Sequence, residues 1–337
     1  MNITRDRPIR DFAKSSLLEL VARKLEETCP ELVPAEARSL DTIRQAHISP
    51  TLKSDILGLL WRNAGPMAVL SIGQGIQSID YDPMWQAASR SISPVILLDK
   101  WRRFEVFAHS QHRLKIDQTR TNMTSFSRYT VDGGTPKAPE NLMICGLVIA
   151  LLEHIGCQGL RCDMPLIAPG TDDRTFCIRS ENRFFVPVEP GTLQTDRWTI
   201  SWQDFTPRPE NTAPRSDLPP LPLAQLPDPT AKELVTSIAR ILAIDVARQW
   251  KISELARETG HSSRTLQRKL SDAGLSFSHL VRHIRIAEAC HLLKDNLAPV
   301  TTVGFCAGFS DSAHFSRDFR ASTGMTPSDY RAINRPA

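Results

Sequence analysis

The chain has 337 residues, of which 41% are hydrophobic and 23% charged, as is ordinary for a soluble globular protein with room for two domains. Its seven cysteines include no C-x-x-C pair, which argues against a disulfide framework and a zinc ribbon. The net charge of +4 is unevenly placed, because residues 228–337 hold 15 Lys and Arg against 11 Asp and Glu, whereas residues 1–227 hold 26 of each. Only the C-terminal part is therefore expected to meet an anionic partner.

The N-terminal half predicts an α+β domain over residues 1–206, with residues 1–16 polar and poorly ordered. Apolar residues at helical spacing predict helices over 17–25 and 54–62, and Asp82-Pro83 is a typical helix start. Pro94 is expected to break that pattern. Partial alternation then predicts strands over 104–107, 112–116, 123–131, 160–166, 175–179, 184–188 and 198–205.

The most apolar window covers residues 142–155, within a helix that begins at Pro139 and ends before Gly156. About 14 apolar residues are too few to cross a bilayer, so the window predicts a buried helix. The charged N-terminus does not resemble a secretory signal. We therefore expect a cytoplasmic protein that has no membrane partner.

Eight prolines between residues 207 and 229 predict a stiff, extended linker. It coincides with the charge boundary and separates the first domain from an all-α domain over residues 230–335.

Within the C-terminal domain, one pattern occurs twice, over residues 252–273 and 300–322. Each copy has a short helix, a turn at Gly260 or Gly308, and a second helix rich in polar side chains. This is the pattern of two helix-turn-helix units, joined by a long helix that Ser276 caps. A single copy matches many ordinary helical hairpins, but two copies in a basic region favour DNA binding.

The second helix of each unit is expected to lie in a major groove of DNA. Leu266 and Leu270, and in the second unit Phe315 and Phe319, form the predicted inner faces. Base contacts are predicted for Arg264, Gln267, Arg268, Ser312, His314 and Arg317. Phosphate contacts are predicted for Ser262, Ser263, Thr265, Lys269 and Ser310. The alternative is that each of these side chains is simply solvated.

These residues resemble the AraC/XylS family of bacterial transcription regulators. The resemblance is carried by residues 264–270, by Arg285 with Ala289 and Leu293, and by residues 308–320 and 324–331. It implies that the two units read successive major grooves, and that the N-terminal domain senses an effector and often dimerises. The helix-rich start looks like the ornithine-utilisation-regulator branch. Gly304 departs from the usual Ala and is expected to weaken its helix by up to about 1 kcal/mol.

The N-terminal half offers no catalytic constellation, so we predict no enzymatic activity, cofactor or metal. His109, His112 and Asp117 could be drawn as a metal site, but packing histidines are the favoured interpretation. Cys157, Cys162 and Cys177 are too few for the four-thiolate site of a DNA-alkylation repair regulator. Aromatic walls suit a ligand pocket, so Trp61, Trp85 and Trp101 are predicted effector contacts, with core packing as the alternative.

The sequence thus predicts a sequence-specific transcription regulator that responds to a small-molecule effector. Its expected partners are promoter DNA, RNA polymerase if it is an activator, the unknown effector and a second copy in a homodimer. Two alternatives remain: a metal- or thiol-dependent DNA-repair sensor enzyme fused to the same module, or a constitutive DNA-binding protein without a ligand.

Overall fold

A computed structural model describes residues 13–38, 47–79, 82–167, 174–187, 192–209, 229–295 and 298–334. The chain divides into two units, one formed by Met1–Asp80 and Ser93–Pro207 and the other by Tyr81–Ile92 and Arg208–Ala337. Most of the predicted proline-rich linker, and residues 1–12 of the N-terminus predicted to be poorly ordered, lie outside the described residues.

The described N-terminal half of the sequence forms six α-helices and two 3-10 helices. They are α1 (Ser15–Thr28), α2 (Ala35–Arg38), α3 (Pro50–Leu70), α4 (Pro83–Ser89), α5 (Pro94–Ala108) and α6 (Ala138–Ile155), with 3-10 helices at Pro30–Leu32 and Ser71–Ile79. Of these, α4 groups with the C-terminal unit. The core helix is α6, which packs against α3 and the second 3-10 helix.

The predicted buried helix over residues 142–155 is confirmed as part of α6. By length and composition alone α6 could cross a membrane, since its 18 residues have a mean hydropathy of 1.4, but 72% of them are buried inside the fold. The helix ends at Gly156, whose φ of 118° is in the left-handed region. This helix is the centre of the N-terminal core.

One antiparallel sheet of six strands completes the N-terminal unit, in the order β3-β4-β9-β6-β7-β8. Its strands are β3 (His112–Arg120), β4 (Met123–Thr130), β6 (Arg161–Pro165), β7 (Thr175–Ser180), β8 (Arg183–Phe184) and β9 (Arg197–Ser201). Two short pairs join β1 (Ala13–Lys14) to β2 (His47–Ile48) and β5 (Cys157–Gln158) to β10 (Asp204–Phe205). Burial alternates along β4, and Phe126 stacks on Trp198, so one face of the sheet lies on the core.

Two predictions for this unit are wrong, namely the strand over residues 104–107 and the poor order of residues 13–16. Pro94 does not end a helix but begins α5, because the Ser93 hydroxyl caps that helix by accepting from the Ile96 N–H at 3.3 Å. Residues 104–107, predicted as a strand, therefore lie in α5. Residues 13–16, predicted to be poorly ordered, are buried in β1 and at the start of α1.

The described C-terminal half is helical, as predicted. Its helices are α7 (Pro229–Ile244), α8 (Ile252–Glu258), α9 (Ser263–Asp272), α10 (Phe277–Asp295), α11 (Val300–Cys306), α12 (Ser312–Thr323) and α13 (Pro327–Asn334). Buried apolar residues of α7, α8, α9 and α10 form one core cluster, which includes Leu242, Leu255, Leu266 and Ile284. The other end of the unit is held by aromatic rings, with Phe315 5.6 Å from Phe319 and Phe319 5.4 Å from Tyr330.

The short helix α4 belongs to this C-terminal unit although its residues come from the N-terminal half of the sequence. It begins as predicted, with the Asp82 carboxylate accepting from the Met84 N–H at 2.9 Å. It packs against α11, and its Met84 and Trp85 are buried. This grouping differs from the predicted N-terminal domain, which included the whole of residues 1–206.

Candidate nucleic-acid interface

The first helix pair consists of α8 and α9, with a tight turn at Gly260, whose φ is 67°. The Ser262 hydroxyl caps α9 by accepting from the Thr265 N–H at 3.1 Å and also bonds the Thr265 hydroxyl at 2.8 Å. Leu266 and Leu270 are fully buried, so the predicted inner face of α9 is confirmed. The buried stripe fixes which side of α9 faces solvent.

Polar side chains cover the outward side of α9. Arg264, Gln267, Arg268 and Lys269 are all exposed, and Ser263 is half-buried. Lys269 Nζ lies 2.8 Å from His261 Nε2, while His261 Nδ1 lies 2.6 Å from the Thr259 carbonyl oxygen. His261 therefore donates from Nδ1 to the Thr259 carbonyl and accepts from Lys269 at Nε2, so the ammonium group of Lys269 is held against a residue of the turn between α8 and α9.

The second helix pair consists of α11 and α12, and it is built on aromatic side chains. Phe315 and Phe319 are fully buried, which confirms the predicted inner face of α12. Asp311, which we did not single out, caps α12 by accepting from the His314 N–H at 2.7 Å. Ser310, the predicted phosphate contact, is exposed one residue before this cap.

The three residues of α12 that were predicted to contact bases differ in their exposure to solvent. Ser312 and Arg317 are exposed. His314 is half-buried, packs edge-on against Phe309, and places Nε2 3.1 Å from an Asp318 carboxylate oxygen. The same oxygen lies 3.0 Å from Nε of Arg282, a residue of α10. Arg282 thus pairs with Asp318, and Asp318 in turn holds the imidazole of His314. In the sequence, only the four-residue spacing of His314 and Asp318 on one helix indicated this contact.

One family model covers most of the first helix pair and all of the second. Residues 255–333 match the model described as a helix-turn-helix domain. The C-terminal region is an AraC-type helix-turn-helix domain. Such AraC-type domains bind DNA in transcription regulators, which is the family that residues 264–331 resemble.

Curated relatives of the AraC-type domain are transcription regulators by name. The ornithine utilization regulator of Pseudomonas aeruginosa is 34% identical over 98 residues, which are 29% of this chain and 29% of that protein. The transcriptional activator RhaR of Escherichia coli K12 is 27% identical over 110 residues, 32% of this chain and 39% of that protein. The match thus spans less than half the length of either relative.

Two solved structures are also similar to this chain or to part of it. A DNA-binding transcriptional dual regulator from Escherichia coli K-12 is 25% identical, with a TM-score of 0.29, and covers 30% of this chain and 96% of its own. The regulator CdpR from Pseudomonas aeruginosa is 17% identical, with a TM-score of 0.35, and covers 93% of this chain and 96% of its own.

The three tryptophans predicted to contact an effector lie on three different helices. Trp61 lines a cavity of about 440 Å³ between α3 and the start of α6, whose wall also includes Asp55, Arg62, Lys137 and Glu140. Trp101 lies on α5, and Trp85 lies on α4 in the other unit. Within the described residues, only Trp61 of the three lines this cavity.

A buried polar cluster lies behind that cavity wall. Lys53 Nζ lies 2.5 Å from Glu140 Oε2, and the Ser54 hydroxyl donates to Glu140 Oε1 at 2.6 Å. Burial raises the pKa of Glu140, but the Lys53 ammonium and both hydrogen bonds outweigh it and hold the pKa at about 2. Burial lowers the pKa of Lys53, against the attraction of Glu140. The cost of burying the two charges is thus offset by their mutual attraction and by the hydrogen bond from Ser54.

His109 and His112 are packing residues in this cluster. Their rings stack in parallel at 4.1 Å, and His109 Nδ1 accepts from the backbone N–H groups of Gln111 and His112. Burial lowers the pKa of His109 to about 2 and that of His112 to about 4, so both rings are neutral near pH 7. Asp117 pairs instead with Lys115 at 2.7 Å. In the described part of the chain, no three His, Cys, Asp or Glu residues are grouped to hold a metal ion.

Cys157 and Cys162 of the N-terminal unit are protonated thiols near pH 7. Burial raises the pKa of Cys157 to about 12, and burial with the Cys145 contact raises the pKa of Cys162. The Cys145 and Cys162 sulfurs lie 3.7 Å apart as free thiols. A nucleophilic cysteine needs the opposite shift, toward the thiolate.

Proposed function

We propose that this chain is a sequence-specific transcription regulator whose two helix pairs both read DNA. The single observation that carries the proposal is the exposed stripe of Arg264, Gln267 and Arg268 on α9, backed by fully buried Leu266 and Leu270. Arg pairs with guanine and Gln with adenine in the major groove, so this stripe suits base readout. In the second pair, Ser312 and Arg317 are exposed candidates for base contacts, and His314 is a candidate whose imidazole is bonded to Asp318.

Phosphate contacts are proposed for the residues that frame α9 and α12, namely Ser262, Ser263, Thr265, Lys269 and Ser310. The hydroxyls of Ser262 and Thr265 already take part in the α9 cap, so they would act at the helix N-terminus together with its free N–H groups. Lys269 is held by His261 as a point charge.

The test selects duplexes from a random library with the full-length chain and measures their affinity during a salt titration. Specific binding should survive competitor DNA and weaken steeply with salt. Arg268→Ala with Arg317→Ala should lower the affinity for the selected duplex by a factor of about 100 or more, since each lost base contact costs about 1–3 kcal/mol. Arg240→Ala, on an exposed position of α7, is the matched control and should change little. Undiminished affinity in the double variant would rule out this assignment.

We infer further that the N-terminal unit binds a small-molecule effector in the cavity beside Trp61. Its wall includes the cations of Arg62 and Lys137, the carboxylates of Asp55 and Glu140, and Trp61. Such a wall suits a small polar molecule that can stack on the indole. A thermal-shift screen of metabolites with the full-length chain should find a stabilising compound, and Trp61→Ala should remove that shift. A shift that persists in Trp61→Ala would move the effector to another site.

Two alternatives predict different results in the same screen. A constitutive DNA-binding protein would give no thermal shift with any metabolite and little sequence preference. A repair sensor enzyme would acquire zinc or a modified cysteine, but protonated, buried Cys157 and Cys162 favour the regulator. The regulator proposal also includes a cytoplasmic location, contact with RNA polymerase if the protein activates transcription, and homodimerisation. Light scattering of the purified chain tests the last of these.

A further inference from the structure

The segment that leads into the first helix pair also contacts the turn of the second. We name residues 245–251, between α7 and α8, the connector. The side-chain amide of Gln249 donates from Nε2 to the carbonyl oxygen of Gly308 at 2.8 Å. Gly308 lies in the turn between α11 and α12, 59 residues along the chain. One hydrogen bond thus joins the entry of the first pair to the turn of the second.

The guanidinium group of Arg285 supports the same contact. Arg285 of α10 places Nη2 3.4 Å from Gln249 Oε1 and 3.4 Å from the Arg248 carbonyl oxygen. Its guanidinium carbon also lies 6.0 Å from the centre of the Phe309 ring, next to Gly308. Arg285 therefore orients the Gln249 amide so that its N–H group points at the Gly308 carbonyl.

The backbone fits closely at this point. Gly308 has a φ of 92°, and a Cβ added there would lie 2.4 Å from the Val246 carbonyl oxygen and 2.7 Å from Arg285 Nε. Only glycine allows both this backbone angle and this distance of approach. The turn of the second pair is thus seated against the connector itself.

The connector is in turn fixed to the first pair. Trp250 Nε1 donates to the Asp245 carbonyl at 3.0 Å, and the Arg248 guanidinium lies 3.9 Å from the centre of the Trp250 ring. Glu254 of α8 lies 3.5 Å from Arg248 and accepts from the Lys251 N–H at 3.0 Å. A displacement of the connector would therefore carry α8 with it.

From these contacts we propose that Gln249 is a positioning residue that sets the DNA spacing which the protein accepts. Gln249, held by Arg285 and bonded to Gly308, fixes α9 and α12 relative to each other. The proposal rests on the proposed function, in which both helices read DNA. It adds that the number of base pairs between the two half-sites is a specificity determinant, although Gln249 reads no base.

The physical argument concerns how a rigid reader responds to a shifted site. One inserted base pair moves the second half-site by about 3.4 Å and rotates it by about 34° around the duplex axis. Here each half-site is the stretch of DNA that α9 or α12 contacts. If α9 and α12 are held rigidly, one of them must then lose its contacts, whereas helices that can move relative to each other recover part of them. Loosening this rigid arrangement should therefore reduce the preference for the native spacing more than it reduces binding.

The experiment measures affinity for a selected duplex and for versions with one base pair inserted or deleted between its half-sites. The spacing ratio is the affinity for the native duplex divided by that for the altered ones. In the full-length protein, Gln249→Ala should lower this ratio about five-fold, the effect expected for one hydrogen bond. Gln249→Glu keeps the length of the side chain and an acceptor for Arg285 but loses the donor to Gly308, so it should lower the ratio similarly.

Gln267→Ala is the matched control, because it removes an exposed glutamine from the proposed base contacts and leaves half-buried Gln249 in place. It should weaken binding to every duplex and leave the spacing ratio unchanged. A Gln249→Ala protein that keeps the wild-type ratio overturns the positioning role alone. A wild-type protein without specific binding overturns the proposed function, and this inference with it.

Hydrogen exchange provides a readout that needs no DNA. Gln249→Ala should speed the exchange of backbone amides in residues 307–309 and in the connector, while the amides of α9 keep their protection. Unchanged exchange at residues 307–309 would also contradict the proposal. Equal acceleration throughout the C-terminal unit would show general destabilisation instead, and would count against a positioning role.

Discussion

Gly304 and Phe315 are in contact because Gly304 has no side chain. A Cβ on Gly304 would lie 2.6 Å from Phe315 Cδ1 and 2.9 Å from Phe315 Cγ. The Phe315 ring is fully buried and packs 5.1 Å from Phe309 and 5.6 Å from Phe319, so it has aromatic neighbours on both sides. The glycine that we expected to soften α11 is also what admits the central ring of the second helix pair.

Gly304→Ala should therefore destabilise the protein although alanine is the better helix former. The propensity gain is about 1 kcal/mol, whereas overpacking a core costs about 1–3 kcal/mol. We expect a net loss of up to about 2 kcal/mol in the free energy of unfolding, measured by urea denaturation. Thr301→Ala, at a half-buried position of the same helix, is the control and should be neutral or slightly stabilising. A stabilised Gly304→Ala protein would contradict this packing.

The buried histidines predict that the N-terminal unit loses stability in acid. The folded pKa values of His109 and His112, about 2 and about 4, lie below the usual 6.5 because of burial. The unfolded chain thus binds more protons below pH 6.5, and stability falls as pH drops through that value, by up to ~1.4 kcal/mol per pH unit for each ring. His109→Asn keeps an acceptor for the N–H groups of Gln111 and His112 but cannot be protonated in this range. It should therefore reduce the slope of the free energy of unfolding against pH. An unchanged slope between pH 6.5 and 4.5 would contradict it.

Glu105 predicts the opposite pH dependence. Burial raises its pKa from 4.5 to about 7, against the hydrogen bond from the Leu114 N–H at 2.7 Å. The folded chain binds the additional proton between these values, so this stability is complete below pH 4.5 and is lost as pH rises to 7. Glu105→Gln keeps the acceptor for Leu114 and should raise stability at pH 8 by about 2 kcal/mol. Thermal melts at pH 5 and pH 8 measure it, and an equal effect at both would count against the shift.

The held imidazole of His314 predicts unequal roles along α12. His314 is bonded to Asp318, whereas Arg317 is exposed on the same helix. Arg317→Ala should lower DNA affinity at least ten-fold, about 1.4 kcal/mol, and His314→Ala should lower it less. Affinity for a selected duplex at fixed salt measures both. A larger loss for His314→Ala would indicate that Asp318 orients His314 toward a base.

Local sequence patterns predicted those helices whose structure depends mainly on residues within the helix. Apolar spacing predicted α9, α12 and α6 correctly, since the residues of each buried face, such as Leu266 and Leu270 of α9, lie about one turn apart. Pro94 was misleading because a proline ends one helix as readily as it begins the next, and the Ser93 cap decided between them.

Long-range contacts left no pattern in the sequence. The Gln249–Gly308 bond joins residues 59 positions apart, and neither residue type indicates a partner. The same holds for the Arg282–Asp318 pair and for the buried Lys53–Glu140 pair. The grouping of α4 with the C-terminal unit also depends on tertiary packing alone, since its sequence predicts only a helix.

That grouping has a consequence for proteolysis. The chain passes between its two units at residues 80–81, 92–93 and 207–208, rather than once. A protease that cuts within the proline-rich stretch would leave α4 in the N-terminal fragment. Because α4 packs against α11, which lies in the C-terminal fragment, this contact would hold the two fragments together. We therefore expect the nicked protein to migrate as one species on a native gel and to separate only after denaturation. A C-terminal fragment expressed alone would expose the surface of α11 that α4 covers.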